Sequence, residues 1–155
     1  MKTDILKAGR RYFPLLLFVG FSFFIPAGIA TGQSAGAIIV KAGVFRSDIG
    51  PVMIGLYKDP KKFKLKTGPY AVGIADIIDG RIELAFEEIP YGVYALKFYH
   101  DRNENSRIDD NIFGFPTEQF GFSNNACATW GHPGFDKAKF TLDRAELVLE
   151  IKVQG

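Results

Sequence analysis

The side chains with the most chemistry to offer lie in one stretch, HDRNENSRIDDN, from His100 to Asn111. Asp101, Asn103, Asn105 and Asp109 occupy relative places 1, 3, 5 and 9 of this loop, and Asp110 follows directly. A calcium ion takes six to eight oxygens, and a turn with oxygen side chains at alternate positions delivers them convergently. Asp101, Asn103, Asn105, Asp109 and Asp110 are therefore the candidate calcium ligands, with the carbonyl of Arg107 at place 7. Two residues count against the match. Ser106 stands where such a loop wants Gly for its sharp turn, and Ile112 stands where the bidentate Glu belongs. Asp and Asn side chains also bond nearby backbone N–H groups and hold an irregular turn together with no metal. Two readings stay open: a weak calcium site of extracellular style, and an Asx turn. No cofactor is required by this sequence, and calcium is the ion it invites.

His100 and His132 are the only histidines. The enzymatic alternative is a small metal-assisted hydrolase using His100, Asp101 and His132. Against it, neighbours along a strand point to opposite faces, so His100 and Asp101 diverge. Cys127 and His132 invite a thiol–base pair, but no third orienting group accompanies them. One Cys and two His are too few for a zinc set, and glycine-rich phosphate loops are absent. A non-enzymatic binding role is the expectation. Its surface candidates are His100, Phe113, Phe115, Phe120, Asn124, Asn125, Trp130 and His132. Aromatic and Asx residues suit a carbohydrate, a peptide or an envelope protein alike. Ser123-Asn124-Asn125 reads as a backbone-capping turn that ties its loop to the strand ends. Cys127 is the single cysteine, so no intramolecular disulfide forms, and a lone thiol is expected to be buried and inert.

The elements that must position these residues read as β throughout. AIIVKAGVF (37–45) and VMIGLYK (52–58) are apolar runs separated by a turn signal. AVGIADII (71–78) and RIELAFEEI (81–89) flank Asp79-Gly80, the strongest short hairpin signal in the chain. Ile82, Leu84 and Phe86 alternate with polar neighbours, as in a half-buried strand. GVYALKFYH (92–100) leads directly into the acidic loop. KAKFTL (137–142) and AELVLEIKV (145–153) are expected to pair around Asp143-Arg144, with Leu147, Leu149, Ile151 and Val153 facing inward. KDPKKFKLK (58–66) is the one segment with room for a helical turn, and it reads as a solvated loop or edge. The predicted architecture is all-β, an antiparallel β-sandwich of about seven strands. A long ordered loop, 101–136, would cap one end, because its six Phe and Trp side chains cannot stay in water cheaply.

The first thirty residues stand apart. Lys2, Lys7, Arg10 and Arg11 precede the apolar run Phe13–Ile25, and small residues follow, with Gly28 and Ala30 at the −3 and −1 places of a cut after Ala30. That order predicts a signal peptide over 1–30 and a single domain over 31–155, exported to the periplasm or secreted. An uncleaved anchor would be the domain's one contact with a membrane. Removing the four Lys/Arg and one Asp of this segment from 19 basic and 17 acidic residues leaves a formal charge of −1. Such a domain has no electrostatic pull toward nucleic acid.

The segment YHDRNENSRIDDNIFGFPTEQFGFSNNA, followed by GHPGFDKAKFTL, resembles the bacterial family called domain of unknown function 2141. The resemblance rests on His100, Asp101, Asn103, Asn105 and Asp109, then Gly114 to Pro116, Gly121 to Asn125, and Phe135 to Ala138, in that order. It implies an exported β-domain whose members carry a signal peptide. The turn Pro90, Gly92, Tyr94 is similar to transthyretin-like and carboxypeptidase-regulatory-like sandwiches, which are usually accessory modules; that likeness concerns fold alone.

Overall fold

Residues 34–106, 117–128 and 131–155 are described by the structure, a computed structural model. The segment 1–30 and the candidates Asp109, Asp110, Phe113, Phe115 and Trp130 lie outside the described residues. In chain order the elements are β1 (Ala35–Gly43), β2 (Val52–Tyr57), α1 (Pro60–Leu65), β3 (Ala71–Ala75), β4 (Arg81–Pro90), β5 (Gly92–His100), β6 (Phe120–Phe122), α2 (Phe135–Ala138), β7 (Phe140–Leu142) and β8 (Glu146–Lys152). They build a sandwich of a three-stranded sheet, β4–β1–β8, and a five-stranded sheet, β3–β2–β5–β6 with β7 on the start of β5.

Period-two alternation builds the space between the sheets. Ile38, Val40 and Ala42 of β1, Ile82 and Phe86 of β4, and Leu149 and Ile151 of β8 pack against Ile54, Leu56, Leu96 and Phe98. Leu147 and Val153 join them half-buried, so the inner face expected for β8 is the observed one. In β4 a register shift opposite Gly36/Ile38 and a positive φ of 55° at Glu88 form a bulge. The bulge turns Ile89 inward after two consecutive exposed glutamates.

Three local readings change. First, β1 and β8 run parallel, from Ala37↔Glu146 to Gly43↔Lys152, while every other named pair is antiparallel. No tight turn links β1 to β8, so nothing local dictates their relative direction. Second, Asp79-Gly80 does form a two-residue turn: both have positive φ, 51° and 71°, and Ile78 and Arg81 exchange hydrogen bonds of 2.9 and 3.0 Å. The strands it joins nevertheless belong to different sheets, β3 to the larger and β4 to the smaller. β7 and β8 part in the same way around Asp143-Arg144. Lys137 and Ala138, expected to start the strand, instead close the short helix Phe135–Ala138, and the strand begins at Phe140.

Third, the lysine-rich segment holds a short helix. The Asp59 carboxylate accepts the N–H groups of Lys61 (2.7 Å) and Lys62 (3.2 Å), Pro60 opens the first turn, and Lys66 closes the last in the left-handed region. Those two N–H bonds hold the Asp59 carboxyl below its ordinary pKa. Buried Phe63 anchors the helix to the outer face of the five-stranded sheet, edge-on to Tyr57 at 5.4 Å and to Phe135 of α2 at 5.8 Å. Tyr57, Phe63, Ala95, Phe122, Ala126 and Ala138 form a second, smaller core there. Among the described residues no helix is long and apolar enough to cross a membrane.

Candidate functional site

Strand β5 divides its side chains between two environments. Tyr94, Leu96, Phe98 and His100 face the main core, whereas Ala95, Lys97 and Tyr99 point to the outer side of the sheet. His100 is 3% exposed. Its ring meets Phe45 edge-on at 5.6 Å, and its Nε2–H donates to the Ile49 carbonyl at 2.8 Å. The expectation of His100 as a surface residue is therefore corrected: strand parity puts it on the same side as Phe98.

Asp101 is also buried, at 1% exposure, and its carboxylate organises the exit turn. Oδ1 accepts the Asn105 N–H (3.0 Å) and Oδ2 the Ser106 N–H (2.7 Å), while Asn103 Oδ1 accepts the Asn105 N–H at 3.3 Å. Gly50, with φ 83°, runs so close to the Asp101 backbone that a Cβ would have no room. Glu104 and Ser106 adopt positive φ of 56° and 59°, so Ser106 takes the conformation for which glycine is favoured. This geometry is that of an Asx-type turn. Among the described residues no group of three or more His, Cys, Asp or Glu could hold a metal ion.

The return strand is tied down as the Ser-Asn-Asn motif suggests. Ser123 Oγ accepts the Leu96 N–H (2.9 Å) and donates to the Ala138 carbonyl (2.5 Å). Asn124 donates to the Lys139 carbonyl at 2.6 Å, and Asn125 accepts the Lys152 N–H at 2.7 Å. These two asparagines, exposed and expected as ligand contacts, spend their amides on backbone groups. Cys127 is exposed rather than buried, because the chain leaves the sheet surface after Ala126.

The outer face of the five-stranded sheet brings distant residues into two cross-strand rows. One is Val72, Gly55, Lys97 and Phe122; the other is Ile74, Met53, Tyr99 and Phe120. Helices α1 and α2 cover the Tyr57–Ala95 end of this face. Beyond the helices, the described residues of this face line a cavity of 410 Å³, within the usual ligand-pocket range of roughly 300–1,000 Å³. Val72 and Pro69 lie to one side of it, and Phe120 and His132 to the other. The His132 ring lies 5.7 Å from Phe122 and 6.4 Å from Phe120, which places it on this face. His100 and His132 thus lie on opposite faces of one sheet, and the trio His100, Asp101 and His132 does not converge.

Lys97 is the charged group of this face. Its Nζ donates to the Phe63 carbonyl at 2.6 Å, near the end of α1, and sits 4.5 Å and 4.7 Å from the Tyr57 and Phe63 ring centroids. Burial, helped by the neighbouring charge of Lys66, pulls its pKa from 10.5 down to about 8.

The family model described as "Uncharacterized protein conserved in bacteria (DUF2141)" matches residues 40–149. The chain belongs to that family. No curated protein and no solved structure matches it.

Within this DUF2141 domain, the sequence motifs and the cavity are neighbours rather than the same thing. His100, Asp101 and the Ser-Asn-Asn turn build the scaffold. Phe120 and His132 are the described surface candidates that reach the cavity, and Ser106 lines it as well. Met53, Val72, Lys97 and Tyr99 carry no motif. Their signal is a lysine between aromatic residues on a strand, K-F-Y, and it becomes readable once the register is known.

Proposed function

We propose that this chain is an exported, non-enzymatic binding domain of the bacterial envelope, and that its ligand face is the outer face of the five-stranded sheet. The observation that carries the reading is the 410 Å³ cavity, floored by apolar and aromatic side chains on a sheet face that would otherwise be polar. The basic, apolar and small-residue order of residues 1–30 supports export. The spent hydrogen bonds of His100 and Asp101, and the place of His132 beyond the sheet, support binding over catalysis. The partner is an envelope carbohydrate or protein; membrane contact is confined to the N-terminal segment if it stays uncleaved.

Retention of the full chain on purified envelope fractions tests this. Tyr99→Ala with Phe120→Ala should abolish retention, and Lys41→Ala with Glu150→Ala on the other sheet should leave it intact; equal retention of all variants overturns the reading. Export is checked by fractionation and N-terminal sequencing, with a mature start after Ala30 expected. Calcium at Asp101, Asn103, Asn105, Asp109 and Asp110 is checked by thermal melts. A bound ion must raise the midpoint at millimolar calcium over chelator, and an unchanged midpoint leaves the Asx turn alone.

A further inference from the structure

We infer that the outer-face cavity takes a small aromatic carboxylate, with its ring over the Met53–Tyr99–Phe120 row and its carboxylate at Lys97 and Lys66. The inference rests on the ligand face proposed above and names its chemistry. Among the described lining residues there are two lysines and a histidine and no aspartate or glutamate. The Asp101 and Glu118 carboxylates act on Tyr99 from outside that lining, so the positive end of the cavity is the Lys97–Lys66 end. The opening over the three-stranded sheet differs: Lys41, Arg81 and Lys152 share it with Asp76, Glu83 and Glu150, so opposite charges cancel there.

Lys97 is also held in place before any ligand arrives. One of its three protons goes to the Phe63 carbonyl, and two aromatic rings fix the ammonium, so little side-chain freedom is left to lose on binding. Ammonium groups, with no arginine fork among the described lining residues, suit a single carboxylate better than a phosphate dianion, which guanidinium pairs grip in two places. Met53, Gly55, Val72 and Phe120 offer flat apolar area for a ring.

Calorimetric titration of the purified full chain at neutral pH tests the assignment with three probes of one shape: 2-naphthoate, neutral 2-naphthylmethanol and cationic 2-naphthylmethylammonium. The expected result is 1:1 binding of naphthoate at least about tenfold tighter than the alcohol, with the ammonium weakest. Val72→Glu, at a position 59% exposed on the rim, should remove that preference without changing the melting temperature. Lys97→Met should do the same, with its melt recorded in parallel because Lys97 also holds α1. Equal affinities for the three probes would overturn the charge assignment and leave the ligand face standing. Binding of no probe, or naphthoate binding indifferent to both substitutions, would overturn the inference, and envelope retention of the Tyr99→Ala, Phe120→Ala variant decides the ligand face separately.

Discussion

The two outer faces of the sandwich obey the same alternation and differ in how much charge they carry. On the three-stranded sheet two of the outer cross-strand rows are charged, Glu83, Lys41, Glu150 and Arg81, Gly43, Lys152, and the row beside them, Ala85, Ile39, Val148, is apolar. Lys41 and Glu83 pair at 3.2 Å while staying largely in water, with side-chain exposures of 44% and 64%. On the five-stranded sheet the corresponding rows are Val72, Gly55, Lys97, Phe122 and Ile74, Met53, Tyr99, Phe120. Helices α1 and α2 cover part of that face, and Val72 and Ile74 remain about 60% exposed at its edge. A face that carries its own charges needs no cover. The second face draws aromatic rings from five elements, and among the described residues α1 and α2 cover one end of it.

If the second face is a small core, breaking its anchor must be the costliest change outside the main core. Phe63→Ala should cost about 3 kcal/mol in urea unfolding, because the ring fills the space among Tyr57, Phe122 and Phe135. A loss below about 1 kcal/mol would mean that α1 merely rests on the sheet. Asp101→Ala, at the turn that feeds this face, should cost about 2 kcal/mol by leaving the Asn105 and Ser106 N–H groups without their acceptor. Addition of chelator should not reproduce that loss.

Lys97 gives a pH signature. Its folded pKa, about 8, lies below its ordinary 10.5, so the unfolded chain binds the extra proton between those values. Stability from this group is therefore greatest above the ordinary pKa and is lost as pH falls through the folded one. Between pH 8 and 10 the denaturation midpoint of the wild type should rise relative to that of Lys97→Met. Parallel curves would mean that the ammonium is solvated. Tyr57, Tyr94 and Tyr99 are pushed up by burial and act in the opposite direction at higher pH, which is why the comparison stops there.

Two smaller effects complete the contrast. Ser106→Gly should stabilise by about 0.5–1 kcal/mol, since a left-handed serine is relieved; destabilisation would show that the hydroxyl matters more than the backbone. A double-mutant cycle on Lys41 and Glu83 should give a coupling of about 0.5 kcal/mol or less, vanishing in high salt. A larger, salt-resistant value would show that the charged face is more than solvated surface.

Much of the β-architecture was legible, because Ile82–Leu84–Phe86 and Leu147–Leu149–Ile151–Val153 state their alternation openly. Sheet membership was not. Asp79-Gly80 specifies a tight turn over four residues, but which sheet each strand then joins depends on distant partners, and so the predicted hairpin opens into a crossover. Helix α1 had its cap and its proline written in Asp59-Pro60, yet four lysines around a single Phe63 read as solvated chain. Asp101 and the Ser-Asn-Asn turn were visible as unusual residues, and their described bonds go to backbone groups. The cavity was only partly visible in Phe120 and His132. Met53, Val72, Lys97 and Tyr99 are adjacent through register alone, which no short motif encodes.

The most direct measurement is an amide chemical-shift map of the full chain titrated with 2-naphthoate. Saturating shifts are expected at Met53, Val72, Lys97, Tyr99 and Phe120, with Lys41, Glu83 and Glu150 unmoved. Shifts concentrated on the charged rows of the three-stranded sheet, or none on either face, would contradict it.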